Sequence, residues 1–302
     1  MKNIIATTTS CLIALSPVFA WSQSDGEEGP LSATLSVGYE SDDNVTTSEL
    51  DTSSGISDEA MIIDFGLALS LGNESLGIEL GYDFSQTDYD TQDAFDIESN
   101  TFSLIVDKEV LGLNLMGIGL YTDVELAGSG LLDMSNYIFS VGRLVGDSLY
   151  FNPGVSYAEK DFDVNNDRDA DQHGFDLSLF FLGESATIRL VYRYEDEDTV
   201  GDETDYGANI YTIAVKGNVS ATSEDISYEV KYQKNDKEYD NVTQSIGTKR
   251  SDDKDTFDVE LSYQFNEHVE LVGSYTYIDS NSNLSTSDFD QNVYNLSLGL
   301  SY

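Results

Sequence analysis

Two clusters of side chains in this chain are of types that do chemistry. The first is an oxygen-rich series, Asp161-Phe-Asp163-Val-Asn165-Asn-Asp167-Arg-Asp169-Ala-Asp171. Alternating hard oxygen ligands suit calcium, but an EF-hand loop opening at Asp163 requires Gly at 168 and Glu at 174. The sequence has Arg168 and Gly174. That motif fails, which leaves Asp163, Asn165, Asp167, Asp169 and Asp171 as weak calcium candidates beside the plainer reading of a solvated loop. The second cluster is Asp171-Gln-His173, where a His stands beside a carboxylate. A catalytic His needs a nucleophile and an oxyanion donor within reach, and neither can be assigned here. The other His outside the leader, His268, falls in a predicted turn on the opposite side of the molecule. No zinc spacing, phosphate loop or dinucleotide fingerprint occurs. No catalytic residue, no cofactor and no firm metal site is expected.

The remaining polar chemistry is a matter of charge. Lys and Arg total 14, Asp and Glu total 56, and the formal net charge is −42. So acidic a surface argues against nucleic acid, whose phosphates need basic partners. A disordered chain is the obvious alternative for this charge, yet 40% hydrophobic and 11% aromatic residues are too many for one. The acids must instead be sorted from the apolar residues by position.

They are sorted with a period of two. In Leu76-Gly-Ile78-Glu-Leu80-Gly-Tyr82-Asp-Phe84 every even position is apolar and every odd one is Gly or acidic. A strand sends those two sets to opposite faces, whereas helical spacing would mix them. The same alternation runs through 31–39, 175–181, 226–232 and 257–265. It predicts fourteen strands near 31–39, 60–71, 76–85, 99–108, 112–123, 135–145, 149–158, 173–182, 186–194, 207–216, 225–233, 256–265, 269–278 and 292–302. Each has the length a tilted strand needs to cross a bilayer.

The predicted connections alternate as well. Tight or short turns at 72–75, 108–112, 146–148, 183–185, 217–224 and 266–268 interleave with long acidic connections. The long ones are expected at 40–59, 86–98, 124–134, 159–172, 195–206, 234–255 and 279–291. Of these, 40–59 and 234–255 are the candidates for folding inward as a plug. Short turns on one side and long loops on the other are the habit of an all-β, antiparallel up-and-down transmembrane barrel with periplasmic turns and extracellular loops. Tyr39, Tyr82, Phe84, Tyr157, Tyr194, Tyr232, Tyr263, Phe265, Tyr275 and Tyr277 sit near strand ends, as the membrane–water boundary favours.

Parity then names the inward face. Asp64, Glu79, Asp83, Asp176, Arg189, Arg193, Glu229, Lys231, Asp258 and Glu260 are the predicted lining of the lumen. Acids outnumber bases there, which favours cations. Arg189 and Arg193 have two readings, as charges facing the acids across the lumen or as ion pairs bracing the wall.

The N-terminus supports export. Lys2 precedes an uncharged, largely apolar stretch, Pro17 breaks it, and Val18-Phe19-Ala20 is a small-x-Ala cleavage pattern. Residues 1–20 are expected to be a signal peptide for the Sec pathway, 21–30 a periplasmic segment and 31–302 the barrel. Cys11 lies within the leader, so no disulfide is expected. No later segment is long and apolar enough for a membrane helix, and a closed barrel is the other way to span a bilayer.

Three resemblances add to this reading. Tyr294-Asn-Leu296-Ser-Leu298-Gly-Leu300-Ser-Tyr302 resembles the C-terminal assembly signal of outer-membrane proteins, with Tyr in place of the usual Phe. Val37-Gly38-Tyr39-Glu-Ser-Asp42-Asp43-Asn44-Val45 resembles the first strand and loop of β-barrel porins associated with exopolysaccharide export. Tyr82 with Tyr89-Asp90 and the closing hairpin from Tyr275 resemble theirs too. Asp171-Gln-His173 resembles the Asp-x-His of omptin proteases, without their second acidic pair. Together these imply a Gram-negative outer-membrane barrel that meets lipopolysaccharide and the barrel-assembly machinery, with divalent cations at its loops. The functions implied are a porin-like, cation-preferring channel for small solutes or saccharides, or a structural accessory barrel for surface polysaccharide or adhesion. An omptin-like hydrolase is the third.

Overall fold

The computed structural model describes residues 30–302 apart from 48, 49, 51, 74, 75, 221 and 222. The expected leader at 1–20 lies outside the described residues, as does the 21–30 segment except Pro30. The strands run β1 (Leu31–Asp42), β2 (Thr46–Thr47), β3 (Thr52–Ser53), β4 (Asp58–Asn73), β5 (Leu76–Tyr89), β6 (Ile97–Val110), β7 (Leu113–Leu126) and β8 (Ser129–Val145). They continue as β9 (Leu149–Phe162), β10 (Ala170–Leu182), β11 (Ala186–Thr199), β12 (Tyr206–Ser220), β13 (Ser223–Thr243), β14 (Thr248–Asn266), β15 (Val269–Ser282) and β16 (Phe289–Ser301).

β2 and β3 pair only with each other, and the other fourteen strands close into one antiparallel barrel. Each barrel strand pairs with its neighbours in sequence. β1 closes the ring on β16, with Val37 opposite Leu298 and Tyr39 opposite Leu296. The last residue seals the seam: Ala33 and Tyr302 exchange two backbone hydrogen bonds of 2.9 Å each.

The two-residue period becomes two faces. Val37, Leu80, Phe139 and Leu298 are each about half exposed, and so are the other apolar residues sharing their phase. The intervening positions are covered: Ser36 is 4% exposed, and Ser178 and Ala208 are 0%. A small polar side chain is fully enclosed only on the concave side, so the apolar set is the outer face. A continuous apolar belt around a whole molecule far exceeds the few hundred Å² that a water-soluble surface carries. Lipid is the solvent that fits it.

One rim of the belt is hydrogen-bonded. In every hairpin closed at that rim, a Tyr on the first strand donates its hydroxyl to an Asp, Glu or Asn on the second. Tyr121 bonds Asp133 at 2.8 Å, Tyr157 bonds Asp171 at 2.5 Å and Tyr232 bonds Asp255 at 2.5 Å. Tyr82, Tyr192 and Tyr275 donate to Asn100, Asn209 and Asn292, and Tyr39 donates to Glu59. The ring is anchored where apolar gives way to acid, as an interfacial aromatic requires.

Beyond that rim the structure corrects the expected loops. The segment 124–134 is not a loop: β7 and β8 run on to a two-residue turn at Ala127 (φ 51°) and Gly128 (φ 69°). Two successive positive φ values give the hairpin turn whose twist matches the flanking strands. The segment 234–255 is mostly strand too. β13 has 21 residues and β14 has 19, and they meet across 244–247. About 9–11 residues cross a bilayer, so the hairpin projects well beyond the belt. The other long connections shorten to 43–57, 90–96, 163–169, 200–205 and 283–288. The cause is that the outer face turns polar past the Tyr ring. The hydrophobic alternation stops there while the backbone pairing continues.

Candidate functional site

The site this architecture offers is the barrel interior, and register fixes its lining. On β1, β4, β5 and β6 the inward charged residues are acids. Glu40 and Asp42 follow Ser36 in phase on β1, Asp64 lies opposite Ser36, and Asp83 lies opposite Gly66. Glu79 and Asp107 continue this set on β5 and β6. Lys108, the basic residue on these strands, stands opposite Leu76 in the outer phase. Hydroxyls and an amide support the acids. Ser85 donates to Asp64 at 2.7 Å, Ser70 to Glu79 at 3.4 Å and Gln291 to Asp42 at 2.8 Å. Asp64, Glu79 and Asp83, named from sequence, therefore share one wall.

The other seven named residues share the facing wall, and there six of them lie in ion pairs. The Arg193 guanidinium donates through Nε to Asp176 and lies 3.4 Å from Glu195. Lys231 is 3.0 Å from Asp258, and Arg189 is 4.0 Å from Glu229. Glu260 stands opposite Glu229 in register. Arg193 and Arg189 both lie within ion-pair distance of acids on their own wall. Asp176 and Arg193 are 3% and 4% exposed, so their pair is shielded from water as an open surface pair is not.

Sequence reasoning missed the continuation of this wall. Lys160 is 2.9 Å from Glu197, which also accepts from Gln172 and Tyr206 at 2.9 Å each. Lys237 sits 3.9 Å above the Tyr206 ring, and Arg250 sits 4.6 Å from the Tyr239 ring. Arg250 also reaches Asp252 at 2.6 Å and Ser287 at 3.0 Å. These residues lie in segments expected to be loops. A signal was present: Glu195 and Glu197 continue the phase of Arg193, and Lys237 continues that of Lys231.

A third sector joins the two walls. β7 and β8 carry no inward charge; their inward positions include Met116, Ile118, Leu120 and Ile138. Toward the Tyr-ring end this sector becomes a packed cluster of Val124, Leu131, Leu132, Met134 and Phe162. Leu50, from the 43–57 connection, packs against it. The same connection is tied to β16 on the other side. Asn44 donates to the Asp290 carbonyl at 3.0 Å, Thr46 donates to Gln291 at 3.3 Å, and Val45 is fully buried. Of the two segments expected to fold inward as a plug, 40–59 places Leu50 against this inward cluster, whereas 234–255 is mostly paired strand.

The chemical candidates are dispersed. Asp169 accepts from the Phe162 amide at 2.7 Å, and Asp171 accepts from Tyr157 on the outer face. Asn165 takes a left-handed backbone (φ 76°) to open the 163–169 turn, in which Asp163 bonds through its backbone N–H to the Leu131 carbonyl at 3.1 Å and Asp167 occupies the 3-10 turn. Among the described residues no three His, Cys, Asp or Glu side chains converge as a metal site requires. His173 lies on the outer face, its ring 5.2 Å from that of Tyr157, which makes it a member of the aromatic ring. His268 is at the other end of the barrel, with Nδ1 2.9 Å from the Ser301 carbonyl oxygen. Tyr294, Leu296, Leu298, Leu300 and Tyr302 all share the outer phase of β16.

No family model and no curated protein matches this chain. Solved structures do match in fold. An anion-selective porin from Comamonas acidovorans aligns over 90% of this chain and 98% of its own, with 8% identity and a TM-score of 0.54. A loop-deletion mutant of OmpT, an outer membrane protein of Vibrio cholerae, aligns over 90% and 99%, with 10% identity and a TM-score of 0.53. At such identities the likeness is one of fold.

Proposed function

We propose that this chain is a Gram-negative outer-membrane channel that favours cations, exported through the Sec pathway and seated by the barrel-assembly machinery. One observation carries the reading: β1, β4, β5 and β6 line the interior with carboxylates and contribute no inward base. Facing charges of one sign inside low-dielectric walls raise the local concentration of the opposite ion. Arg189, Arg193 and Lys231 on the opposite wall are ion-paired, so they leave the acids' field largely uncancelled. The fold shared with an anion-selective porin supports passage. Small solutes, saccharides among them, are the cargo that this reading admits. The acids just outside the Tyr ring would meet lipopolysaccharide phosphates through shared divalent cations.

Reconstitution into planar bilayers tests the proposal. Discrete conductance steps and a reversal potential on the cation side in a KCl gradient are expected. Steps with anion preference would overturn the cation reading, and a lack of steps would overturn the channel. The second reading, a closed accessory barrel for surface polysaccharide or adhesion, is favoured by the packing of Leu50, from the 43–57 connection, against the inward cluster near the mouth. It predicts no steps until that connection is shortened.

A further inference from the structure

The acidic wall meets the apolar sector along a defined line. Glu79 on β5 stands opposite Ile105 on β6. Ile105 stands opposite Ile118 on β7, which stands opposite Ile138 on β8. One row further along, Leu120 lies opposite Ser103 on the same inner face. A carboxylate therefore heads a transverse row of three isoleucines, with Asp83 four residues along its own strand. Ile105, Ile118 and Leu120 are partly exposed within the barrel, not sealed into the packed cluster near the mouth. Barrel interiors are ordinarily polar, because water fills them. Aliphatic side chains left partly exposed there keep apolar area that a passing solute can cover.

From this juxtaposition we infer that the passage selects organic cations bearing an apolar portion over inorganic cations of equal charge. The inference rests on the channel reading and specifies its solute. Paired strands lie about 4.8 Å apart. An ammonium at Glu79 therefore places an alkyl chain of three or four carbons across Ile105 and onto Ile118. Glu79 and Asp83 supply attraction to the charge, and Ile118 and Leu120 supply contact to the hydrocarbon. Inorganic cations receive the first and not the second. Anions are opposed by the carboxylates whatever their apolar content.

The test uses the full barrel in planar bilayers, with KCl on one side and n-butylammonium chloride on the other. The butylammonium-to-potassium permeability ratio is expected to exceed the ratio of the two ions' mobilities in free solution. In Ile118→Thr with Leu120→Thr it should fall about twofold or more, since part of several methylene contacts is removed. The potassium-to-chloride ratio should stay as it was. In Glu79→Gln the potassium-to-chloride ratio should fall instead. If the double variant does not assemble, Leu120→Asn alone reports the same loss. A wild-type ratio at or below the mobility ratio, or one untouched by the Thr or Asn variants, overturns the inference while leaving a conducting channel intact. Lack of conductance in the wild type overturns the channel reading and this inference together.

Discussion

The β4–β5 wall and the β10–β14 wall of the barrel both carry inward carboxylates, and they treat them in opposite ways. Asp176 on the second wall is buried beneath the Arg193 guanidinium, and Lys231 and Lys160 hold Asp258 and Glu197. Asp64 and Glu79 on the first wall accept from hydroxyls, those of Ser85 and Ser70. An ion pair offsets its own charges and projects little field. A carboxylate held by a hydroxyl keeps its charge directed at whatever occupies the interior. The same residue types thus brace one wall and remain available to solutes on the other.

The largest effect follows from breaking the braced wall. Arg193→Ala leaves Asp176 as a buried charge without its guanidinium, a loss of about 3–5 kcal/mol. Asp83→Asn removes an acid from the other wall and should change stability by no more than about 0.5 kcal/mol. Urea midpoints read from the mobility shift of folded and unfolded barrel on gels compare the two. Equal effects would abolish the distinction between the walls.

Selectivity should respond in the reverse order. Glu79→Gln with Asp83→Asn is expected to lower the potassium-to-chloride ratio severalfold, since those acids supply the uncancelled field. Lys231→Gln with Asp258→Asn removes one charge of each sign and should leave the ratio nearly unchanged. Raising salt from 0.1 M to 1 M shortens the Debye length from about 10 Å to 3 Å and should shrink the first difference. A ratio that moved with the second pair and not the first would place selectivity on the braced wall.

The contrast between the walls was only half legible in the sequence. Parity alone placed Asp64, Glu79 and Asp83 on the inner face, because the outer phase of β4 and β5 is filled with Leu, Ile, Phe and Tyr. It also identified Arg189 and Arg193, but pairing depends on which strands adjoin, and nothing local to 189–193 specifies Asp176. Lys160, Glu197, Lys237 and Arg250 lay in stretches where neither face is apolar, so the phase had no hydrophobic marker to carry it. The turn at Ala127-Gly128 was hidden for a different reason. Ala is not a usual residue at positive φ, so a hairpin turn read as the middle of a loop.

A smaller effect probes where the two walls meet the mouth. Leu50→Ala removes a half-buried contact with the Val124–Met134 cluster, worth about 1 kcal/mol. If the 43–57 connection narrows the entrance to both walls alike, conductance should rise and the cation ratio should stay constant. Unchanged conductance would assign the narrowing to the walls themselves.

The smallest effect separates ordinary loop chemistry from wall chemistry. Asp58, at the start of β4, accepts from the Thr91 and Gln92 amides at 2.8 and 2.7 Å and so holds the 90–96 connection. Partial burial pushes its carboxyl up, but the amides of Thr91, Gln92 and Glu59 outweigh that and hold it below the ordinary carboxylate value. The sign follows from linkage: a depressed folded-state value gives stabilisation that is complete above the unfolded value and disappears as pH falls through the folded one. Amide exchange at Thr91 and Gln92 should therefore lose protection only below about pH 4, where an ordinary Asp begins to protonate. Asp58→Asn should show the weaker protection at every pH while leaving the cation ratio alone. A change in that ratio would mean that the mouth acids belong functionally to the β4–β5 wall.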